Sequence, residues 1–349
     1  MANLELKKNI FGMLSDGSEI ELYTVNNGKM SFSSTNYGCT LTTILLPAGN
    51  GKKVDVLLGF STLEGWVMDG LCFGTGVGRF ANRIGGCTFE IDGKKYQLDD
   101  NDSGRTLHGG FDRWEKKVWS PREVETQYGR GVEYSRVSPD GEQGFPGNLD
   151  VKQIFTLNGD NVLTLEYYAT TDTPTPVNIT NHAYFNMKGY DGGTVKDHEI
   201  MFKSDKVLEI GEDHLPSGKI LDVEGTPFDF RTPRLLSSQI EKLKFGFDDC
   251  YCVPGFDEKN FTLREFGYVK DPASGRKMSV KTTQPGIQFY TANFLNGEKG
   301  KNGHPYGRQE ALCLETQGYP DAPNHPEFPN TILRPGETYH QVTQYVFEF

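Results

Sequence analysis

Short runs of alternating apolar and polar residues recur along the whole chain, separated by glycine, proline and asparagine turn signals, and this spacing predicts strands. Asp92-Gly93 between Thr88–Ile91 and Lys95–Leu98 predicts a hairpin. Asn158-Gly159-Asp160-Asn161 between Val151–Leu157 and Val162–Tyr168 predicts another, and Asn26-Asn27-Gly28 sits in the same way between Glu19–Val25 and Lys29–Ser33. From Glu337 to Phe349, Tyr339, Gln341, Thr343, Tyr345, Phe347 and Phe349 alternate with polar neighbours, as in a closing strand. Helices are expected to be few. Ser61-Thr62-Leu63-Glu64 resembles a capping box opening about one turn, and Thr232-Pro233 followed by Arg234–Leu243 reads as an N-cap, a proline at N1 and an amphipathic helix. The 16 Tyr and 23 Phe suit pleated surfaces better than helices. No repeat or linker divides the 349 residues, so one antiparallel all-β domain over 1–349, a large β-sandwich, is expected.

Charge and composition exclude more than they identify. Lys and Arg total 36 against 47 Asp and Glu, a formal net charge of -11 with no basic run, which argues against nucleic acid and anionic membrane as partners. The opening stretch MANLELKKNIFGMLSDG lacks the apolar run of a signal peptide, and no segment approaches a membrane span. Cys39, Cys72, Cys87, Cys250, Cys252 and Cys313 form no C-x-x-C pair, so reduced thiols in a cytoplasmic protein are expected.

Several stretches carry candidate chemistry. Leu312 to Gln317 predicts a strand with Leu312, Leu314 and Thr316 on one face and Cys313, Glu315 and Gln317 on the other. Gly318 and Pro320, Pro323 and Pro326 then stop regular structure, so a carboxylate emerges from a stiff strand end. Read as one strand, Pro176 to Asn186 turns Asn178, Thr180, His182, Tyr184 and Asn186 to one side, a hydrogen-bonding face without Lys or Glu that suits a sugar cleft. Gly74-Thr75-Gly76-Val77-Gly78 has the wrong spacing for a dinucleotide loop, whereas Asn82 and Arg83 offer fixed donors; Arg79 reads as a surface ion-pair residue. His108 precedes Gly109-Gly110, which permit close ligand approach. Asp248 and Asp249 point to opposite sides of a strand, so one of them reaches a site. Gln284 to Asn293 predicts a turn into a strand with Ile287 and Phe289 on one face and Gln288 and Tyr290 on the other. No spacing suits a metal site, and there is neither a nucleophile elbow nor a P-loop.

Taken together, Gly78-Arg79-Phe80-Ala81-Asn82-Arg83-Ile84, Leu107-His108-Gly109-Gly110, Asp140 to Gly147, Asn178 to Asn186, Leu314-Glu315-Thr316-Gln317 with its Pro-Asp-Ala-Pro-Asn tail, and Leu333 to Glu337 resemble aldose 1-epimerases (galactose mutarotases). The resemblance implies a β-sandwich with an open sugar cleft and no cofactor. It also implies a general base at Glu315 and a general acid at His182, with Asn82, Arg83, His108, Asp248 and Gln288 holding the sugar. Two positions depart from the family pattern: Asp249, where many members carry His, and Tyr319, where Trp is frequent. The implied activity is interconversion of the α and β anomers of free aldohexoses such as galactose and glucose by a monomer or homodimer. A non-catalytic sugar-binding sandwich and a hexose-6-phosphate 1-epimerase are the alternatives. A glycosidase would need a second carboxylate across the bond, a part open only to Asp248.

Overall fold

The computed structural model describes residues 4–49 and 51–349; Met1, Ala2 and Asn3 of the opening stretch lie outside them. Two antiparallel sheets make the sandwich. The larger has nine strands in the order Ser120–Thr126, Gly129–Ser138, Leu149–Leu157, Val162–Thr171, Tyr339–Glu348, Lys277–Thr282, Arg264–Lys270, Glu199–Phe202, Arg234–Leu235. Its centre is the C-terminal strand, which joins the Val162–Thr171 strand to the Lys277–Thr282 strand. The facing sheet runs Pro216–Asp222, Lys206–Ile210, Asp248–Cys252, Gly286–Tyr290, Cys313–Gln317. A further five-stranded sheet is built from Glu5–Met13 through Lys53–Asp55.

Alternation along the facing sheet explains both the core and the site. Tyr251, Ile287, Phe289 and Leu314 turn inward and are buried with Phe202, Phe266, Val280 and Tyr345 of the large sheet. The Phe202 and Phe289 rings meet edge to face at 5.2 Å, and the Tyr345 hydroxyl donates to the Leu314 carbonyl at 3.2 Å. Each such side chain contributes about 1.5–3 kcal/mol of burial free energy. The opposite face of the same strands carries Asp248, Gln288, Tyr290, Cys313 and Glu315. The register sets Gln288 beside Glu315 and Tyr290 beside Asp248.

The three hairpins form where expected. Three other expectations need correcting. The segment from Pro176 to Asn186 is no continuous strand: Thr175–Pro176 and Thr180–Asn181 pair with different partners, and Phe185 bridges Leu57 and Leu312. Asn178 and Asn186 spend their side chains on backbone groups there, so neither faces a ligand. Past Thr232-Pro233, Arg234–Leu235 becomes an edge strand against Glu199 and Ile200, and the helix shrinks to Ser237–Ile240, because a tertiary ladder overrides a weak local preference. The Leu63–Met68 helix forms, but its N-cap is Thr62 and makes no side-chain cap bond.

Candidate active site

The polar face of the small sheet is the floor of an open cleft of about 140 Å³, and segments from far along the chain build its walls. Glu315 stands at the centre, 2 % exposed. Its Oε1 lies 3.6 Å from His182 Nε2, and its Oε2 is buried with no hydrogen-bond partner among the described residues. A buried acceptor without a protein partner is open to a water or a ligand hydroxyl. Burial, reinforced by the Asp248 carboxylate and opposed by Arg83, pushes the Glu315 carboxyl well above the usual carboxylate range.

His182 follows the Thr180–Asn181 strand, which pairs with Gly76–Val77. Its Nδ1 is 3.5 Å from Cys313 Sγ, leaving Nε2 toward Glu315. The ring stacks on Tyr184 at 4.9 Å, and the Tyr184 hydroxyl is tied to the Leu71 carbonyl at 3.0 Å. Burial pushes the His182 imidazole down to about 4, with Arg113 acting the same way and a backbone hydrogen bond opposing. The pair is therefore driven toward its uncharged state.

Asn82 and His108 clasp each other. Asn82, at φ 64°, donates its backbone N–H to His108 Nδ1 at 3.2 Å, and the His108 N–H donates to the Asn82 carbonyl at 3.0 Å. With Nδ1 accepting, Nε2 carries the hydrogen and is a donor. Burial, with His182, Arg113 and Arg83 nearby, holds His108 well below the usual histidine range, so that donor is neutral. Arg83 Nε donates to Asp102 at 2.8 Å, which fixes the guanidinium beside the cleft. Asp248 lines the cleft and accepts from Gln288 Nε2 at 2.8 Å. Gln288 itself is buried behind it, with Oε1 unpartnered among the described residues.

All seven residues singled out from the sequence thus lie together. Of the two adjacent acids, Asp248 reaches the cleft. Asp249 turns the other way, accepts from the Asp248 backbone N–H at 3.0 Å, and is pushed up to about 7 by burial. Arg79 corrects an expectation. Far from being a surface residue, it is 2 % exposed and donates to Ser138 and to the Pro139, Pro146 and Gly147 carbonyls, gathering that turn. The sequence reading missed Arg113, Cys72 and Phe294 as cleft residues; it put Tyr184 on the face suited to a sugar cleft without a role, and it assigned Tyr290 a face but no place in the site. The faces were a usable signal for the two tyrosines; nothing local distinguishes Arg113 from a surface arginine. Among the described residues no group of three or more His, Cys, Asp or Glu is set to hold a metal ion, and no helix is long and apolar enough to cross a membrane.

A family model described as Aldose 1-epimerase matches residues 21–346. The chain is 42% identical to galactose mutarotase of Homo sapiens over 341 residues, 97% of each chain. It is 35% identical to aldose 1-epimerase of Escherichia coli over 342 residues, 95% of this chain and 96% of that one. Among solved structures, the aldose epimerase homologue from C. elegans superposes with TM-score 0.84 at 32% identity, over 92% of this chain and 96% of its own. Galactose 1-epimerase from Lactobacillus acidophilus superposes with TM-score 0.86 at 25% identity, over 99% of both chains. The chain belongs to the aldose 1-epimerase family.

Proposed function

We propose that this isomerase interconverts the α and β anomers of free aldohexoses such as D-galactose and D-glucose. In this reading Glu315 and His182 are the acid/base pair, and Asn82, Arg83, His108, Asp248 and Gln288 hold the sugar. The observation that carries it is the 3.6 Å separation of the Glu315 and His182 side chains in one cleft. O1 and O5 of a cyclic aldose hang on the same carbon, so two groups this close serve both oxygens at once.

Ring opening moves one proton through the pair. Ionised Glu315 takes the proton from O1, the O–H electrons form the C1=O1 bond, the C1–O5 bond breaks, and O5 takes a proton from imidazolium His182. Glu315 is then protonated and His182 neutral. After rotation about C1–C2 the steps reverse and the ring closes on the other face of the aldehyde. The uncharged pair that burial favours is the state that closes the ring; the charged pair opens it. Because the two states differ only in where one proton sits, the same cleft runs both directions. Arg83 stands ready to steady the charge that develops at the ring oxygen.

The alternatives fit less well. A sugar-binding module has no use for a buried acid/base pair with an orphan carboxylate oxygen. A hexose 6-phosphate needs free cations, whereas Arg83 is paired with Asp102 and Arg113 with Glu115. The site draws on residues from Asn82 to Glu315 of one chain, which supports a single domain. All six cysteines are free, in keeping with a cytoplasmic setting. The test is polarimetry of freshly dissolved α-D-galactose: optical rotation reaches equilibrium faster in proportion to added protein, and a rate equal to that of buffer would refute the reading.

A further inference from the structure

One strand meets both ring nitrogens of His182. Cys313 and Glu315 stand two apart on Cys313–Gln317 and turn to the same face, about 6.8 Å from each other along the strand. The imidazole lies across that gap, with Nδ1 3.5 Å from Cys313 Sγ and Nε2 3.6 Å from Glu315 Oε1. Tyr184 stacks on the ring at 4.9 Å, and Tyr290, the cross-strand neighbour of Cys313, meets it edge to face at 6.2 Å. The ring is therefore held by its face and by its Nδ1 edge.

The proposed chemistry asks for one tautomer of that ring. Nε2 gives its hydrogen to O5 when the sugar opens and recovers it when the sugar closes. In the open-chain state Nε2 is thus bare, and Nδ1 keeps the remaining hydrogen. A neutral imidazole can carry that hydrogen on either nitrogen, and the partner of the other nitrogen decides which. The other titratable or charged groups around the ring are His108, whose ring lies 5.3 Å away, Arg113, Tyr184, Tyr290 and Glu315; among the described residues none of their side chains bonds to Nδ1. Cys313 Sγ alone of the side-chain atoms does. The thiol is fully buried, and burial, with the Glu315 and Asp248 carboxylates adding to it, pushes it well up, so it stays neutral. Neutral sulfur is a weak acceptor. It can fix where the Nδ1 hydrogen points without stabilising the imidazolium as a carboxylate would, which leaves His182 ready to release its proton.

Resting on the mutarotase reading above, we propose that Cys313 is a positioning residue: its sulfur accepts the Nδ1 hydrogen of His182, which keeps Nε2 the nitrogen that carries the proton to and from the ring oxygen.

The experiment reads the tautomer directly. NMR spectra of protein labelled with ¹⁵N at histidine are recorded near neutral pH, where His182 is uncharged, and its ring signals are assigned by their loss in His182→Gln. The hydrogen is expected on Nδ1 in the wild type. In Cys313→Ala and Cys313→Val, which offer no acceptor, the signals move toward the Nε2-protonated form. Their kcat for D-galactose falls about tenfold, the size of one lost hydrogen bond, while KM changes much less. Cys313→Ser, whose hydroxyl oxygen accepts, restores the tautomer and most of kcat. A hydrogen on Nε2 in the wild type would overturn the inference, a reading that needs no variant to fold. So would an unchanged tautomer in the alanine and valine variants, or a shifted one that leaves kcat intact. Each of these results leaves the mutarotase reading standing, whereas a wild type that accelerates no sugar would take down both.

Discussion

Glu315 has one oxygen 3.6 Å from His182 and the other without a partner among the described residues. Glu315→Gln keeps the shape and removes the exchangeable proton. It is expected to lower kcat by about 10²–10⁴-fold while still binding sugar, read by mutarotation kinetics beside a titration of galactose against tyrosine fluorescence. The pH profile of kcat/KM follows from the same pair. In the proposed mechanism activity needs one shared proton. As pH falls, His182, held near 4, gains a second proton and activity drops; as pH rises past the elevated Glu315 range, the shared proton leaves and activity drops again. A plateau reaching down toward pH 4 is expected, and an acid limb near pH 6.5, ordinary for a free histidine, would contradict it. Glu315 was legible because a strand's twofold period assigns it a face; His182, which lies outside any continuous strand, and Asp248, level with Asp249 by period alone, came from the family resemblance. Arg79 and Arg113 were not legible, because an arginine's fate depends on which distant carbonyls or carboxylates meet it.

Between the elements, Asn178 is the joint. Its Oδ1 accepts the Gly318 N–H at 2.7 Å, and its Nδ2 donates to the Ala81 carbonyl at 3.1 Å and the Gly318 carbonyl at 3.3 Å. It therefore ties the segments that carry His182, Asn82-Arg83 and Glu315. Asn178→Ala leaves buried backbone groups unpaired and is expected to destabilise the protein by about 2–4 kcal/mol in urea unfolding, with kcat falling more than KM rises. A variant as stable as the wild type would show that water replaces the amide. The sequence placed Asn178 on a polar face but gave it to the ligand. Local pattern cannot tell an amide facing a sugar from one facing a neighbouring backbone. Hairpins were readable for the opposite reason, since turn chemistry and register lie within a dozen residues. The helix expected after Pro233 failed where an edge ladder to Glu199–Ile200 outweighed local propensity.

Across the whole molecule, alternation announced a sandwich but not which strands would be neighbours. The C-terminal strand lies between strands that begin at Val162 and Lys277, a closure fixed by the shared core and not by any local signal. Lys301 shows the same dependence: it is 4 % exposed, with Nζ donating to Asp55 and to the Thr42 and Leu57 carbonyls, which fastens a distant loop to the N-terminal sheet. Lys301→Met strands the Asp55 carboxylate and is expected to cost about 3–5 kcal/mol in denaturant unfolding. The central claim is that this scaffold holds one proton-sharing pair over O1 and O5, so that the ring opens and C1 never parts from O1. Galactose labelled with ¹⁸O at O1 tests it directly. Anomers interconverted by the protein in unlabelled water, analysed by mass spectrometry before spontaneous exchange, should retain the label through many turnovers. Loss of one label per inversion would mean cleavage of the C1–O1 bond, as in a glycosidase, and would contradict the account.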